Sequence, residues 1–162
     1  MHGKWAQTGV PHKGWHCVGV EDLGAPEETC EMCETQEIRY VHYMHHPDYA
    51  AELGVGCVCA EKMEEDYEGP RRRERDLRAA ASRRSRWLLR KWKISARGNS
   101  FLNTDGLNIT IYRFDDGMWG GRIAERSSGR SIASRRRYKT SDQAKLAAFD
   151  GMIFLKARGW GV

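Results

Sequence analysis

The chain has 162 residues, with 27 Lys and Arg against 22 Asp and Glu, which gives a formal net charge of +5. This length suits one ordinary domain or two small ones. No apolar run approaches the roughly 20 residues of a membrane-spanning helix, and the start lacks the apolar stretch of a secretory signal. We therefore expect a cytoplasmic protein that does not engage a membrane.

Charge and metal-ligand residues are divided unevenly along the chain. Residues 1–69 hold 4 Lys and Arg against 14 Asp and Glu, whereas residues 70–162 hold 23 against 8. All five cysteines and all six histidines fall within the first 59 residues. The pattern predicts a metal-binding module at 13–68, an arginine-rich helix or linker at 69–93, and a basic domain at 94–162.

The first half contains few clear signals of regular structure. Residues 1–29 are rich in Gly and Pro, which indicates an irregular lead-in. Segment 38–44 is rich in β-branched and aromatic residues and predicts a strand. Pro47 is typical of the start of a short helical turn, which we expect to end near Gly54. A short helix is expected over 60–67.

The second half predicts a helix followed by strands. Apolar residues close to one stripe predict a helix over 71–92 that is coated with arginines. Segments 108–114 and 118–124 have the composition of two strands joined as a hairpin. A third strand is expected within 131–138.

The last helix has the clearest start signal of the chain. Thr140 and Gln143 have the spacing of a capping box, in which each side chain bonds the other residue's backbone N–H. Small and apolar residues then recur at helical spacing, and Gly159 is a plausible stop. The second half is therefore predicted to be a three-stranded antiparallel sheet with a C-terminal helix.

Two cysteine pairs indicate a zinc site. Cys30 and Cys33 have the two-residue gap of a zinc knuckle, and Cys57 and Cys59 come where a helix is expected to begin. An odd cysteine number without a secretory signal favours reduced thiols, so metal binding outranks disulfides. A knuckle, a hairpin and a ligand pair at a helix N-terminus describe the zinc-binding treble clef. We predict zinc held by these four cysteines.

Alternatives to that ligand set remain open. Cys-x-Cys is less usual than Cys-x-x-Cys, and one thiol of the second pair can be left out. His42, His45 or His46 would then supply the fourth ligand, and His16 with Cys17 forms another spare pair. The remaining alternative is a set of buried reduced cysteines with no metal.

The segment YVHYMHHP at 40–47, between the two cysteine pairs, is similar to the core of His-Asn-His nucleases. That resemblance implies a histidine base that activates water and a second metal ion on the scissile phosphate. The chain departs from the family pattern, because no Asn occurs in the first 98 residues and AEKM at 60–63 lacks the closing His. We therefore expect a protein that is not an enzyme.

The basic half is expected to meet a polyanion. Residues 71–93 carry nine arginines and two lysines, and arginine suits phosphate recognition. A solvated helix face is the ordinary alternative, although only two acidic residues balance the run locally. We predict phosphate contacts from Arg83, Arg86 and Arg90, with duplex DNA favoured over RNA.

The segments MWGGRI at 118–123 and YKTSDQAKLAAFD at 138–150 resemble the plant ethylene-response-factor DNA-binding domain and its bacterial and phage relatives. The resemblance implies a three-stranded sheet laid into the major groove, with Trp119 and Arg122 at matched positions. Arg113 is added from its place on the paired strand, and Arg113 and Arg122 are both expected on the exposed face of the sheet. Trp119 is equally a candidate core residue. A double-stranded-RNA-binding fold shares the order of elements and is the competing interpretation.

The whole chain also resembles zinc-finger-like proteins of bacteria and prophages, through its GWHC, CEMC, HP and GCVCA segments. We expect an α+β fold in which a small treble-clef-like zinc module precedes the arginine-rich helix and the sheet. The expected function is non-catalytic, regulatory binding of nucleic acid in a bacterial or phage setting. One alternative is a protein-interaction factor, whose acidic half mimics nucleic acid or docks onto the basic half, and another is a degenerate or active metal-dependent nuclease of the His-Asn-His type.

Overall fold

The computed structural model describes residues 2–161, and the chain divides into two compact units, the first ending at Arg78 and the second beginning at Ala79. The division falls inside the arginine-rich segment. Among the described residues, no helix combines the length and apolar character needed to cross a bilayer. The expected α+β class is confirmed, since both units combine sheets with helices.

The first unit contains one three-stranded antiparallel sheet, one short two-stranded pair and two helices. The elements are β1 (His16–Asp22), β2 (Glu28–Thr29), β3 (Glu37–Ile38), β4 (Tyr40–His46), β5 (Tyr49–Val55), α1 (Cys57–Glu64) and α2 (Gly69–Ala79). The sheet has the strand order β1-β4-β5, and β2 pairs with β3.

The core of the first unit lies where α1 packs on the sheet. Val41 and Met44 of β4, Val55 of β5, and Ala60 and Met63 of α1 are all fully buried. Burying a side chain of this size contributes on the order of 1.5–3 kcal/mol, which is why so small a unit needs all of them. The packing fixes α1 against the strands that precede it.

Two sequence expectations for this unit are wrong. The expected irregular lead-in contains β1, which pairs antiparallel with β4 along its length. The expected helical turn after Pro47 is instead the start of a hairpin, in which β5 pairs back onto β4. Pro47 lies in the tight turn between these strands, where its missing N–H costs no ladder hydrogen bond. A third expectation, a helix over 60–67, is right about the helix but not about its bounds, which are Cys57 and Glu64.

The single helix expected over 71–92 is also wrong. The chain forms α2, then a short helix α3 (Ala81–Ser85), then a 3-10 turn at Trp87–Leu89. Trp87 is fully buried, and its indole N–H donates to the carbonyl oxygen of Lys145 over 2.8 Å. Burial of this ring outweighs the local preference for a continuous helix.

The second unit contains a five-stranded antiparallel sheet, whereas the sequence predicted three strands. The elements are β6 (Lys93–Ile94), β7 (Ser100–Thr104), β8 (Leu107–Arg113), β9 (Trp119–Glu125), β10 (Ser131–Ala133) and α4 (Ser141–Ala157). The strand order is β10-β9-β8-β7-β6, and the predicted hairpin is confirmed as β8 paired with β9.

Helix α4 covers one face of this sheet. Its capping box is confirmed, with Thr140 Oγ1 accepting from the Gln143 N–H at 3.1 Å and Gln143 Oε1 accepting from the Thr140 N–H at 3.3 Å. Gly159, two residues beyond the helix, has φ +91°, a left-handed conformation that favours glycine. The buried side chains of β8 and α4 form the core, namely Leu107, Ile109, Ile111, Phe149 and Met152.

Candidate metal centre and sheet surface

Three of the four predicted zinc ligands converge. The sulfur atoms of Cys30, Cys33 and Cys59 all lie within 4.8 Å of one another. Cys30 and Cys33 lie in the turn between β2 and β3, and Cys59 is the third residue of α1. Cys30 and Cys59 are buried and Cys33 is partly exposed. The cluster can hold a metal ion.

Hydrogen bonds converge on these sulfur atoms. The Gly56 N–H donates to Cys30 Sγ, the Trp5 indole N–H donates to Cys59 Sγ, and the Thr35 hydroxyl donates to Cys33 Sγ, each over 3.5 Å. The hydrogen bond between Cys30 and Cys59 also lowers the pKa of Cys30 below its ordinary value and raises the pKa of Cys59, so Cys30 is the first of the two to ionise. Donors directed at sulfur favour thiolates, which are the ligands that zinc binds.

Sequence reasoning missed the contribution of the N-terminal segment. The Lys4 N–H donates to the Met32 carbonyl oxygen over 2.8 Å, and Lys4 Nζ pairs with Glu34 at 3.0 Å. Gly3 has φ +63°, and a Cβ there would lie 2.6 Å from the Cys33 carbonyl oxygen. Glycine is therefore required where the segment crosses the turn that carries the cysteines.

Cys57, the fourth predicted ligand, lies elsewhere. Its sulfur atom lies within 4.8 Å of ligand atoms of His42 and Glu74, and its thiol donates to a carboxylate oxygen of Glu61 over 3.4 Å. Residues two apart on a helix point roughly 200° apart around its axis, so Cys57 and Cys59 cannot both face the same turn. Burial, with the negative charges of Glu74 and Glu61, raises the pKa of Cys57 to about 12.

His42 is fully buried, and both of its ring nitrogens are engaged. Arg73 Nε donates to Nδ1 over 3.2 Å, and Nε2 lies 2.7 Å from a Glu74 carboxylate oxygen. Because Arg73 can only donate, Nδ1 must carry the lone pair and Nε2 the proton. In this tautomer both nitrogens are hydrogen-bonded within the unit. The group is a buried polar network that ties α2 to β4.

The other candidate histidines do not join the cysteine cluster. His46 is buried, and its Nδ1 accepts the Asp48 N–H over 2.9 Å. The rings of His45 and His16 meet edge to face, with centroids 5.0 Å apart. The Cys17 thiol donates to the Gly19 carbonyl oxygen over 3.1 Å. Among residues 2–161, the groups that can hold a metal contain none of these side chains.

The arginines of α2 are balanced by acidic residues from outside the run. Arg73 makes two hydrogen bonds to Glu64, the shorter 2.6 Å long. Arg71 pairs with the buried Glu61 at 3.0 Å. The expectation that few acids balance this segment counted only its sequence neighbours, and the folded unit supplies the rest. These arginines stabilise the first unit.

The predicted phosphate contacts divide into two kinds. Arg83 donates two hydrogen bonds, of 2.7 and 3.0 Å, to the carboxylate of Asp105, so its guanidinium already has an anionic partner within the second unit. Arg86 and Arg90 are exposed. Arg86 bonds the Ser82 hydroxyl over 3.2 Å, and Arg90 lies 5.8 Å from the centroid of the Trp87 ring. Arg86 and Arg90 remain accessible to an anion.

The strand register separates the predicted base-contacting residues. Arg113 is paired with Trp119, and Arg122 is paired with Thr110. Because side chains alternate along a strand, Arg122 lies on the opposite face from Arg113 and Trp119. The expectation that Arg113 and Arg122 share the exposed face is wrong. Arg113 instead lies 5.4 Å from the Trp119 ring centroid, and Trp119 is half-buried.

We call the side of this sheet opposite α4 the open face. The register assigns to it Lys93, Phe101, Asn103, Asn108, Thr110, Tyr112, Gly120, Arg122, Ala124, Ser131 and Ala133. These strand positions include two cations and two aromatic rings but no Asp or Glu. From Ala79 onward the chain holds 18 Lys and Arg against 6 Asp and Glu, whereas residues 1–78 hold 9 against 16.

Comparison with protein-family models, curated proteins and solved structures gave no significant match to this chain. The geometry of the two units is therefore the basis for a functional proposal.

Proposed function

We propose that this chain is a zinc-containing, non-catalytic nucleic-acid-binding protein. In the proposal, Cys30, Cys33 and Cys59 hold a structural zinc ion in a treble-clef-like first unit, and the second unit contacts nucleic acid. A regulatory role in the cytoplasm of a bacterial or phage-infected cell is the setting that the sequence favours.

The donor chemistry supports zinc. Three sulfur atoms within 4.8 Å of one another suit tetrahedral zinc–thiolate coordination. Structural zinc supplies folding free energy that a unit with so small a core otherwise lacks. A bound ion would tie the β2–β3 turn to the first turn of α1.

The open face carries the nucleic-acid proposal. Its strand positions bear Lys93 and Arg122 and no acidic residue, in a unit with 18 Lys and Arg against 6 Asp and Glu. A phosphate backbone that approaches these strand positions meets two cations and no acidic side chain of the strands, and electrostatic attraction dominates non-specific affinity.

The environment of His42 supports the proposal that the protein is not a catalyst. A general base needs a lone pair within reach of the attacking water, and here Arg73 and Glu74 hydrogen-bond to the two ring nitrogens.

The alternative of a protein-interaction factor is based on the acidic charge of the first unit. It expects binding to a protein and no affinity for any nucleic acid.

A matched pair of variants tests the proposal. Arg122→Ala and Arg113→Ala remove the same charge from opposite faces of one sheet. We expect Arg122→Ala to weaken binding of fluorescently labelled oligonucleotides several-fold, and Arg113→Ala to change it little. Affinity should fall steeply with added salt, as counterion release requires. Salt-independent binding, or none to any nucleic acid, would contradict the proposal.

A further inference from the structure

The rings of Tyr112 and Phe114 meet edge to face over Gly120 of β9, with centroids 5.3 Å apart. A Cβ on Gly120 would come within 2.8 Å of the Phe114 ring and 3.1 Å of the Tyr112 ring. The Tyr112 hydroxyl reaches across the strand to the Gly121 carbonyl oxygen, 3.4 Å away. Tyr112 is half-buried, so part of its ring remains accessible on the open face.

Phe101 and two cations share the open face with Tyr112. Phe101 is paired with Thr110, which makes it the diagonal neighbour of Tyr112 at roughly 7–8 Å between Cα atoms. Lys93 is paired with Phe101, and Arg122 with Thr110. The two cations are thus three strands apart, about 14 Å, with Phe101 between them.

We propose that the open face binds single-stranded nucleic acid. Tyr112 and Phe101 stack on neighbouring bases, while Lys93 and Arg122 pair with the flanking phosphates. The inference rests on the proposed nucleic-acid binding and specifies its ligand. Rings combined with cations in this way bind single strands with little sequence preference, since every base has a π face.

A duplex fits the same face less well. In a duplex the π faces of the bases are covered by their neighbours, and only base edges are presented in the grooves. The open face has few free groups to bond those edges. Asn103 and Asn108 bond each other over 2.8 Å, and Thr110 donates to Asn108 over 2.9 Å. Arg122 is the single arginine on these strand positions.

The test compares strands of equal length. The intact chain is titrated into labelled 12-nucleotide oligo(dT), oligo(U) and a 12-base-pair blunt duplex, by fluorescence anisotropy at two salt concentrations. We expect at least tenfold tighter binding to one or both single strands than to the duplex. The two single-stranded arms separate a DNA ligand from an RNA ligand.

Substitutions of the two rings test whether base stacking contributes to single-strand binding. Tyr112→Leu should weaken single-strand binding by about 5- to 150-fold, the range that 1–3 kcal/mol per stacked base implies. Tyr112→Phe keeps the ring and should bind within about twofold of the unaltered chain. Phe101→Leu serves as an independent second variant. Thermal melting of each variant confirms that the second unit is folded.

The outcomes distinguish this inference from the proposed function. Tighter binding to the duplex, with Tyr112→Leu and Phe101→Leu both without effect, would overturn the single-strand inference and leave nucleic-acid binding intact. An absence of salt-sensitive binding to all three probes would overturn both.

Discussion

The indole N–H of Trp5 donates to Sγ of Cys59 over 3.5 Å, although 54 positions separate the two residues in the chain. Trp5 is buried, and the segment that carries it crosses the turn between Cys30 and Cys33. The N-terminal residues therefore form part of the surroundings of the proposed metal ion. A donor to a ligand sulfur stabilises the thiolate and holds its orientation.

Trp5→Phe should weaken zinc binding while the ring continues to fill its place. Loss of a partner that supports a metal ligand typically costs about 10- to 100-fold in affinity. Competition with a chromogenic chelator measures the change. Trp15→Phe is the matched control, because the indole of Trp15 is equally buried but donates to the Pro11 carbonyl oxygen. Equal zinc affinity in the two variants would contradict a role for the Trp5 hydrogen bond.

Cys57→Ser and Cys59→Ser should behave differently, although the two cysteines are two residues apart. The purified chain should carry about one zinc ion, Cys59→Ser should lose it, and Cys57→Ser should retain it. Elemental analysis and the melting temperature of the first unit are the measurements. Loss of zinc from both variants would restore the four-cysteine ligand set predicted from the sequence.

That difference shows how far the sequence alone could lead at this site. The cysteine spacing was enough to predict the metal-ligand character of Cys30 and Cys33. Helical geometry could also have warned that Cys57 and Cys59 diverge, since the helix was expected close to them. No local signal marks Trp5, because its contact with Cys59 depends on a fold that brings distant segments together.

For the fold as well, features with local sequence signals were predictable and features that depend on distant segments were mostly missed. The capping box of Thr140 and Gln143 was predictable because all its partners lie within four residues. The hairpin of β8 and β9 was predictable from strand composition around a tight turn. Strand β1 was missed because its pairing with β4 is long-range. Strand β7 was missed although Asp105-Gly106 is a strong signal for a two-residue hairpin turn, and both residues have positive φ.

The stability of the second unit should depend on pH through Asp105. The Arg83 guanidinium, followed by Lys156, holds the pKa of this carboxyl well below its ordinary value of 3.8. A carboxyl with a lowered folded pKa contributes stability above its unfolded pKa and loses it as pH falls through the folded one. The free energy of unfolding should therefore decrease as pH falls below about 4.

Asp105→Asn isolates that contribution. Asn tolerates the left-handed backbone at this position, φ +57°, so the turn is preserved. The variant should be less stable than the unaltered chain at pH 7, and the two should converge in acid. Urea unfolding at pH 7, 5 and 3 gives the comparison. If the two chains differed in their free energy of unfolding by the same amount at all three pH values, Asp105 would not contribute to the acid sensitivity.

The three arginines predicted to contact phosphate should respond differently to substitution, because their partners in the fold differ. Arg83 is bound to Asp105, so Arg83→Gln should lower the free energy of unfolding by about 1–3 kcal/mol. Arg86 and Arg90 are exposed, so changing both to Gln should leave stability nearly unchanged. If both meet phosphates, the slope of log affinity against log salt should flatten by roughly 0.7 per contact on a single strand, or 0.9 on a duplex. An unchanged slope would assign these arginines to the solvated surface, because a side chain that displaces no counterion leaves the salt dependence as it was.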